Sequence, residues 1–146
     1  MRIMVPPTLQ TGIIMRSTLV AAALVLASMV PAVADDASDL AAAKDAIAAA
    51  KLSPASELNM WCGAAFTLYS QAMKQGGDAD KAKAADANAT ALFGKAAPLL
   101  TADGVASGDM GAMSTNYMTV AAAQLINSTE PPAHTQEECQ AAVDAQ

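Results

Sequence analysis

Aromatic residues make up only 3% of this chain and charged residues only 15%. The first scarcity, with no alternating run of Val, Ile, Thr or aromatics, removes the pattern of a half-buried strand. Basic residues are scarcer than acidic ones, 8 against 14, for a net charge of −6. Nucleic acids and anionic membranes both need a basic surface, so neither is an expected partner. The length of 146 residues allows one domain and no second catalytic lobe. What fills the chain is alanine, 37 residues of it. The best helix former in such abundance predicts an all-α fold.

Residues 15–34 read as a secretory signal peptide. Arg16 supplies the positive start, Thr18 to Val30 the apolar run, Pro31 the break, and Ala32-Val33-Ala34 a small-x-small cleavage site. The run is shorter than the roughly 20 residues that span a bilayer, so no stable membrane anchor is expected after cleavage. Residues 1–14 are an upstream extension without a motif, and Met15 is an alternative start. The expected organisation is therefore residues 1–34 as extension and signal, and residues 35–146 as one exported domain, periplasmic or secreted, of a bacterium. Both arginines, Arg2 and Arg16, leave with the leader. A mature chain without arginine lacks the bidentate clamp for phosphate, which disfavours phosphate-centred functions.

Cys62 and Cys139 are the only cysteines. In an exported protein an even count reads as a disulfide, and one pair admits one intramolecular connectivity. No C-x-x-C is present, which disfavours a thioredoxin-type oxidoreductase.

Four to five helices are expected. Ser38 is the predicted cap of a first helix running to about Lys51, whose alanine-rich interior offers few anchors and predicts loose docking. Ser53-Pro54 restarts the chain as N-cap and first helical residue. Leu58, Trp61, Cys62, Ala65, Leu68, Tyr69, Ala72 and Met73 then follow the spacing of one helical face, up to the stop at Gly76-Gly77. Asp78 caps a third helix with Ala82, Ala85, Ala89, Leu92, Phe93 and Ala96 as its stripe, and Pro98 is expected to end or kink it. Asp109 is the predicted cap of a fourth helix, with Met110, Met113, Tyr117, Val120, Ala121 and Leu125 on one face. Thr135-Gln136-Glu137-Glu138 matches a capping box and opens a short last helix carrying Cys139. Tyr69, Leu125 and Ile126 are counted with the large residues available to the core.

The search for chemistry returns little. A catalytic site needs a tuned acid–base pair or an activated nucleophile, and the chain has one histidine and no nucleophile elbow. No catalytic residues, no enzyme activity and no cofactor are expected. His134 sits in a Pro-rich linker beside helix-capping carboxylates, short of the ligand set of a closed metal site. Met110 and Met113 supply soft thioethers that select Cu(I) if they converge, so they and His134 are the metal candidates. Filling gaps between alanine-rich helices is the simpler role for them. Trp61 and Tyr69, two turns apart on one face, are the candidate surface for a ligand or partner protein. Asn88-Ala89-Thr90 and Asn127-Ser128-Thr129 match the glycosylation pattern by chance in a bacterial protein.

Trp61 next to Cys62, with Phe66 shortly after, is a local pattern that resembles the small acid-stress chaperones of the bacterial periplasm. The resemblance covers this stretch and the general architecture: exported, helical, one disulfide. It implies a protein that exposes apolar faces in acid. The reading is thus a non-enzymatic binding or stress-related, chaperone-like module presenting helical surfaces to a protein or small apolar ligand. A periplasmic copper-binding protein using Met residues is the alternative. Oligomeric state is left open.

Overall fold

The computed structural model describes residues 37–145. The expected signal peptide and upstream extension, residues 1–34, lie outside the described residues. The described part holds five α-helices and no strand: α1 Ala37–Ala50, α2 Pro54–Gln75, α3 Ala79–Ala102, α4 Met110–Leu125 and α5 Gln136–Asp144. A short 3-10 turn, Ser107–Asp109, leads into α4. This is the all-α bundle that the alanine content and apolar stripes predict.

Helix α2 is the centre of the bundle. It packs most extensively on α3, its hairpin partner, and also meets α4 and α5, while α1 lies on α4. Its start follows the sequence signal: Ser53 is extended, its side chain accepts from the Ser56 amide, and Pro54 takes the first helical position. Its end is a Schellman turn in which the Asp78 amide donates to the Met73 carbonyl at 2.9 Å. That turn requires the left-handed backbone of Gly77, φ 79°.

The core is built from close helix packing more than from bulk. Ala64, Ala82, Ala85, Ala89, Ala96 and Ala121 are all buried beside Met60, Leu92, Leu100 and Tyr117. Gly63 shows how close the α2–α3 approach is: a Cβ there would lie 2.9 Å from the Phe93 ring. Small faces bring helices together, and dispersion contacts then accumulate over many short side chains. Burial and the nearby Glu57 charge hold the Tyr117 hydroxyl protonated far above its ordinary range.

Several local expectations are corrected. Ser38 lies inside the first turn of α1 instead of before it. Helix α1 is docked and not loose: Ala43 is buried, Ile47 packs against the core, and Lys44 pairs with Glu130. Pro98 does not end α3, which continues to Ala102. Pro98 and Gly94 are both exposed, so the carbonyl that loses its intrahelical partner lies on the solvent side of the helix. Asp109 makes no side-chain cap, because its backbone is already helical (φ −95°, ψ −9°) as the 3-10 turn runs into α4. Tyr69, Leu125 and Ile126 are not core residues; they are 47%, 40% and 50% exposed.

One carboxylate ties the two ends of the hairpin. Asp103, just past α3, accepts from the Ser53 amide and hydroxyl, each at 3.0 Å, and from the Ser56 hydroxyl. Its charge therefore sits at the amino end of α2, where the helix dipole favours an anion. These bonds, the Ser56 one foremost, hold its carboxyl below the usual range. A folded-state pKa below the unfolded one gives stability that is present above the unfolded value and is lost as pH falls through the folded one. Asp103→Asn is therefore expected to lower stability at neutral pH. In urea titrations across pH, the gap to wild type should close below about pH 4. A gap that stays constant down to acid pH would show that the charge is not what matters.

Candidate functional site

The candidate site is a half-open groove of about 460 Å³. One wall is the stripe Trp61, Ala65, Phe66 and Tyr69 of α2, which lie within two turns on one side of the helix. The other walls are Leu125 at the end of α4, Pro132 and His134 of the following loop, and Thr135, Gln136 and Cys139 at the start of α5.

Each wall has an identifiable support. The Trp61 indole donates to Gln124 Oε1 at 2.7 Å, and the same oxygen accepts from the Ala133 amide at 3.1 Å. Gln124 thus fastens the loop to α2. The His134 ring meets Trp61 edge to face, with centroids 5.6 Å apart and planes at 69°, a favourable aromatic geometry. The α5 start is a full capping box: Thr135 Oγ1 accepts from the Glu138 amide, and Glu138 Oε2 accepts from the Thr135 amide at 2.7 Å. The bond from the Thr135 amide, first among the causes, lowers the Glu138 pKa. At the other end of α5, Lys95 Nζ donates to the carbonyls of Ala142, Val143 and Ala145 at 2.6, 3.1 and 2.8 Å. A cation there complements the negative end of the helix.

Under these contacts runs the covalent link. Cys62 and Cys139 form a disulfide, with Cα atoms 5.3 Å apart, across 77 positions of sequence. Both are buried, and Cys139 forms part of the groove floor. The expected pairing of α5 with α2 is present.

Trp61, Tyr69 and His134, proposed separately from the sequence, come together at the groove. Met110 and Met113 do not join them. Met113 belongs to the core, and Met110 packs against it. From Met113 to Gln124, beside His134, is eleven helical positions, roughly 16 Å at the α-helical rise. The metal candidates therefore do not converge, because the helix that carries the methionines aims them inward. Among the described residues, no three or more His, Cys, Asp or Glu side chains are grouped to hold a metal ion. No helix among them is long and apolar enough to cross a membrane. Phe66, Leu125 and Pro132 as lining residues, and Gln124 and Lys95 as supports, were not read from the sequence. Only Phe66 carried a signal, through its place shortly after Trp61 and Cys62.

Neither a protein-family model, a curated protein nor a solved structure matches the chain.

The loop-entropy model assigns a bridge of this span about 4–5 kcal/mol, an upper bound on its effect. Replacing both cysteines by serine should lower unfolding free energy by about 2–5 kcal/mol in urea titrations. Thiol titration of native protein should find no free thiol. Two reactive thiols in the folded protein would remove the bridge and its contribution together.

Proposed function

We propose that this chain is a small exported, non-enzymatic binding domain that takes a small ligand with an apolar body into the Trp61–Tyr69 groove. The observation that carries the reading is the groove itself: mostly apolar and aromatic walls, with His134 at one side. Its size lies in the range of small-molecule sites. Large side chains are few in this chain, yet Trp61, Phe66, Tyr69 and Leu125 gather here. A chain that used its large residues only for stability would turn them inward, whereas Tyr69 and Leu125 are left open to solvent.

Binding without catalysis is supported by the polar groups present. His134 Nδ1 lies 3.8 Å from Glu138 Oε2, beyond hydrogen-bond reach, and that carboxylate is already engaged in capping α5. Export, to the periplasm or beyond, is supported by the closed cysteine pair, which belongs to oxidising compartments, and by the leader at residues 15–34.

A stress-related role is the second reading, favoured by the carboxylates at helix ends. Asp78, Asp103 and Glu138 all have lowered pKa values, each chiefly from hydrogen bonds at a helix start. Protonating them in strong acid weakens those bonds and loosens helix ends, the α5 start beside the groove among them, while the disulfide keeps the chain tethered. Suppression of client aggregation at about pH 2–3 and not at neutral pH would support it. Equal activity at both would remove its charge-based rationale.

The groove is tested with a neutral aromatic dye, N-phenylnaphthylamine, followed by dye emission and by quenching of Trp61, the only tryptophan. Saturable binding at a single site is expected. Tyr69→Ala and Phe66→Ala should each weaken it about five- to tenfold, the equivalent of roughly 1 kcal/mol of lost apolar contact. Circular dichroism should show unchanged helix content. Non-saturable binding to folded protein, or equal binding by both variants and wild type, would overturn the groove assignment.

A further inference from the structure

Resting on the groove reading, we infer that the ligand's polar end is a monovalent organic cation, an amine or ammonium attached to an aromatic or short alkyl body. The observation is the distribution of charge around an aromatic cleft. No lysine lines the groove, and its only ionisable lining residues are His134 and Tyr69. From residue 96 to residue 145 the chain has no lysine or arginine at all, while Glu130, Glu137 and Glu138 fall in the loop and helix that form the groove's far wall. A carboxylate flanking the lining is that of Glu138, 3.8 Å from His134 Nδ1 and bonded to the Thr135 amide.

Of the six lysines among the described residues, Lys51 and Lys83 do not line the groove, and the other four are engaged. Lys44 pairs with Glu130, Lys74 with Asp86 at 2.7 Å, and Lys81 with Asp78 at 2.8 Å. Lys81 is the one whose field reaches Tyr69, and its partner Asp78 offsets it. Lys95 is turned to the carbonyls at the far end of α5.

An anionic ligand would thus meet the field of the Glu138 carboxylate, next to the lining residue His134, with no lysine in the lining to offset it. A cationic head is drawn toward that carboxylate and toward the faces of Tyr69 and Phe66, whose ring quadrupoles attract positive charge. The apolar body then occupies the Ala65–Leu125 part of the groove. Glu138 is a positioning charge in this scheme, and its role in the capping box is separable, since glutamine at the same place keeps the box.

The test compares three probes with one body and different heads: phenylbutylamine, phenylbutanol and phenylbutyrate. Each is titrated calorimetrically into the full-length oxidised domain at about pH 8, above the ordinary histidine range. The amine should bind about fivefold or more tighter than the carboxylate, the size of one exposed cation–π or ion-pair contact, with the alcohol between them. Glu138→Gln should bring the three affinities together with helix content unchanged. Raising salt from about 0.02 M to about 0.5 M on the wild-type protein should narrow the same gap without any variant. Equal affinities for amine and carboxylate, or a tighter carboxylate, would overturn the cation assignment and leave the groove standing on the alcohol. Absence of binding by all three to folded protein would overturn the groove as well.

Discussion

The Cys62–Cys139 bond is the constraint on which the groove depends. Helix α5 is nine residues long, and Cys139 is its only buried residue. A helix that short, with one buried position, does not hold itself against a bundle in water. The bond converts it into a wall by fixing its first turns to α2. Lys95 then secures the far end, and Gln124 fastens the loop in between. Without the covalent link these are a few exposed or half-buried hydrogen bonds, each worth little against the freedom of the segment they order.

A second constraint follows from alanine. It forms helices readily but removes little apolar surface per residue, so the bundle gains stability by bringing backbones close. Gly63 under Phe93 and the alanine faces of α3 and α4 are the result. Close approach leaves limited volume between the helices, which Met60, Leu68, Leu92, Leu100, Met113 and Tyr117 fill. The large side chains that remain on α2 and at the end of α4 come to lie where the packing ends, around α5. The groove is thus tied to the composition: a bundle closed by small residues leaves Tyr69 and Leu125 at its margin.

Most of the fold was legible because its signals are local and periodic. The α2 stripe, the Ser53-Pro54 start, the capping box at Thr135 and the helix stop at Gly76-Gly77 each rest on neighbours within a turn or two. The disulfide was legible because two cysteines allow one intramolecular pairing. What escaped was set by the distant chain. Asp103 reads as an ordinary residue after a helix, and its three bonds to Ser53 and Ser56 exist only because the hairpin closes. Pro98 reads as a helix stop, and whether it stops one depends on which way Gly94 faces. Trp61 and Tyr69 were recognisable as a pair, but Leu125 looked like core. Its exposure goes with its place as the last residue of α4, at the edge of the groove.

The redox state of the two cysteines and the geometry of the site are in this way one property. Cys139 lies in the groove floor and also in the bond that holds the wall, so a folded chain with reduced cysteines keeps the α2 stripe and loses what faces it. Trp61 and Tyr69 would then be an apolar strip on a helix, without an opposing surface to define a ligand's size. The lack of lysine beyond Lys95 acts on the same wall, leaving the Glu138 carboxylate beside His134 without a lysine from that wall to offset it. Oxidation sets the shape of the groove and the loss of basic residues sets its electrostatics, and both meet on the nine residues of α5.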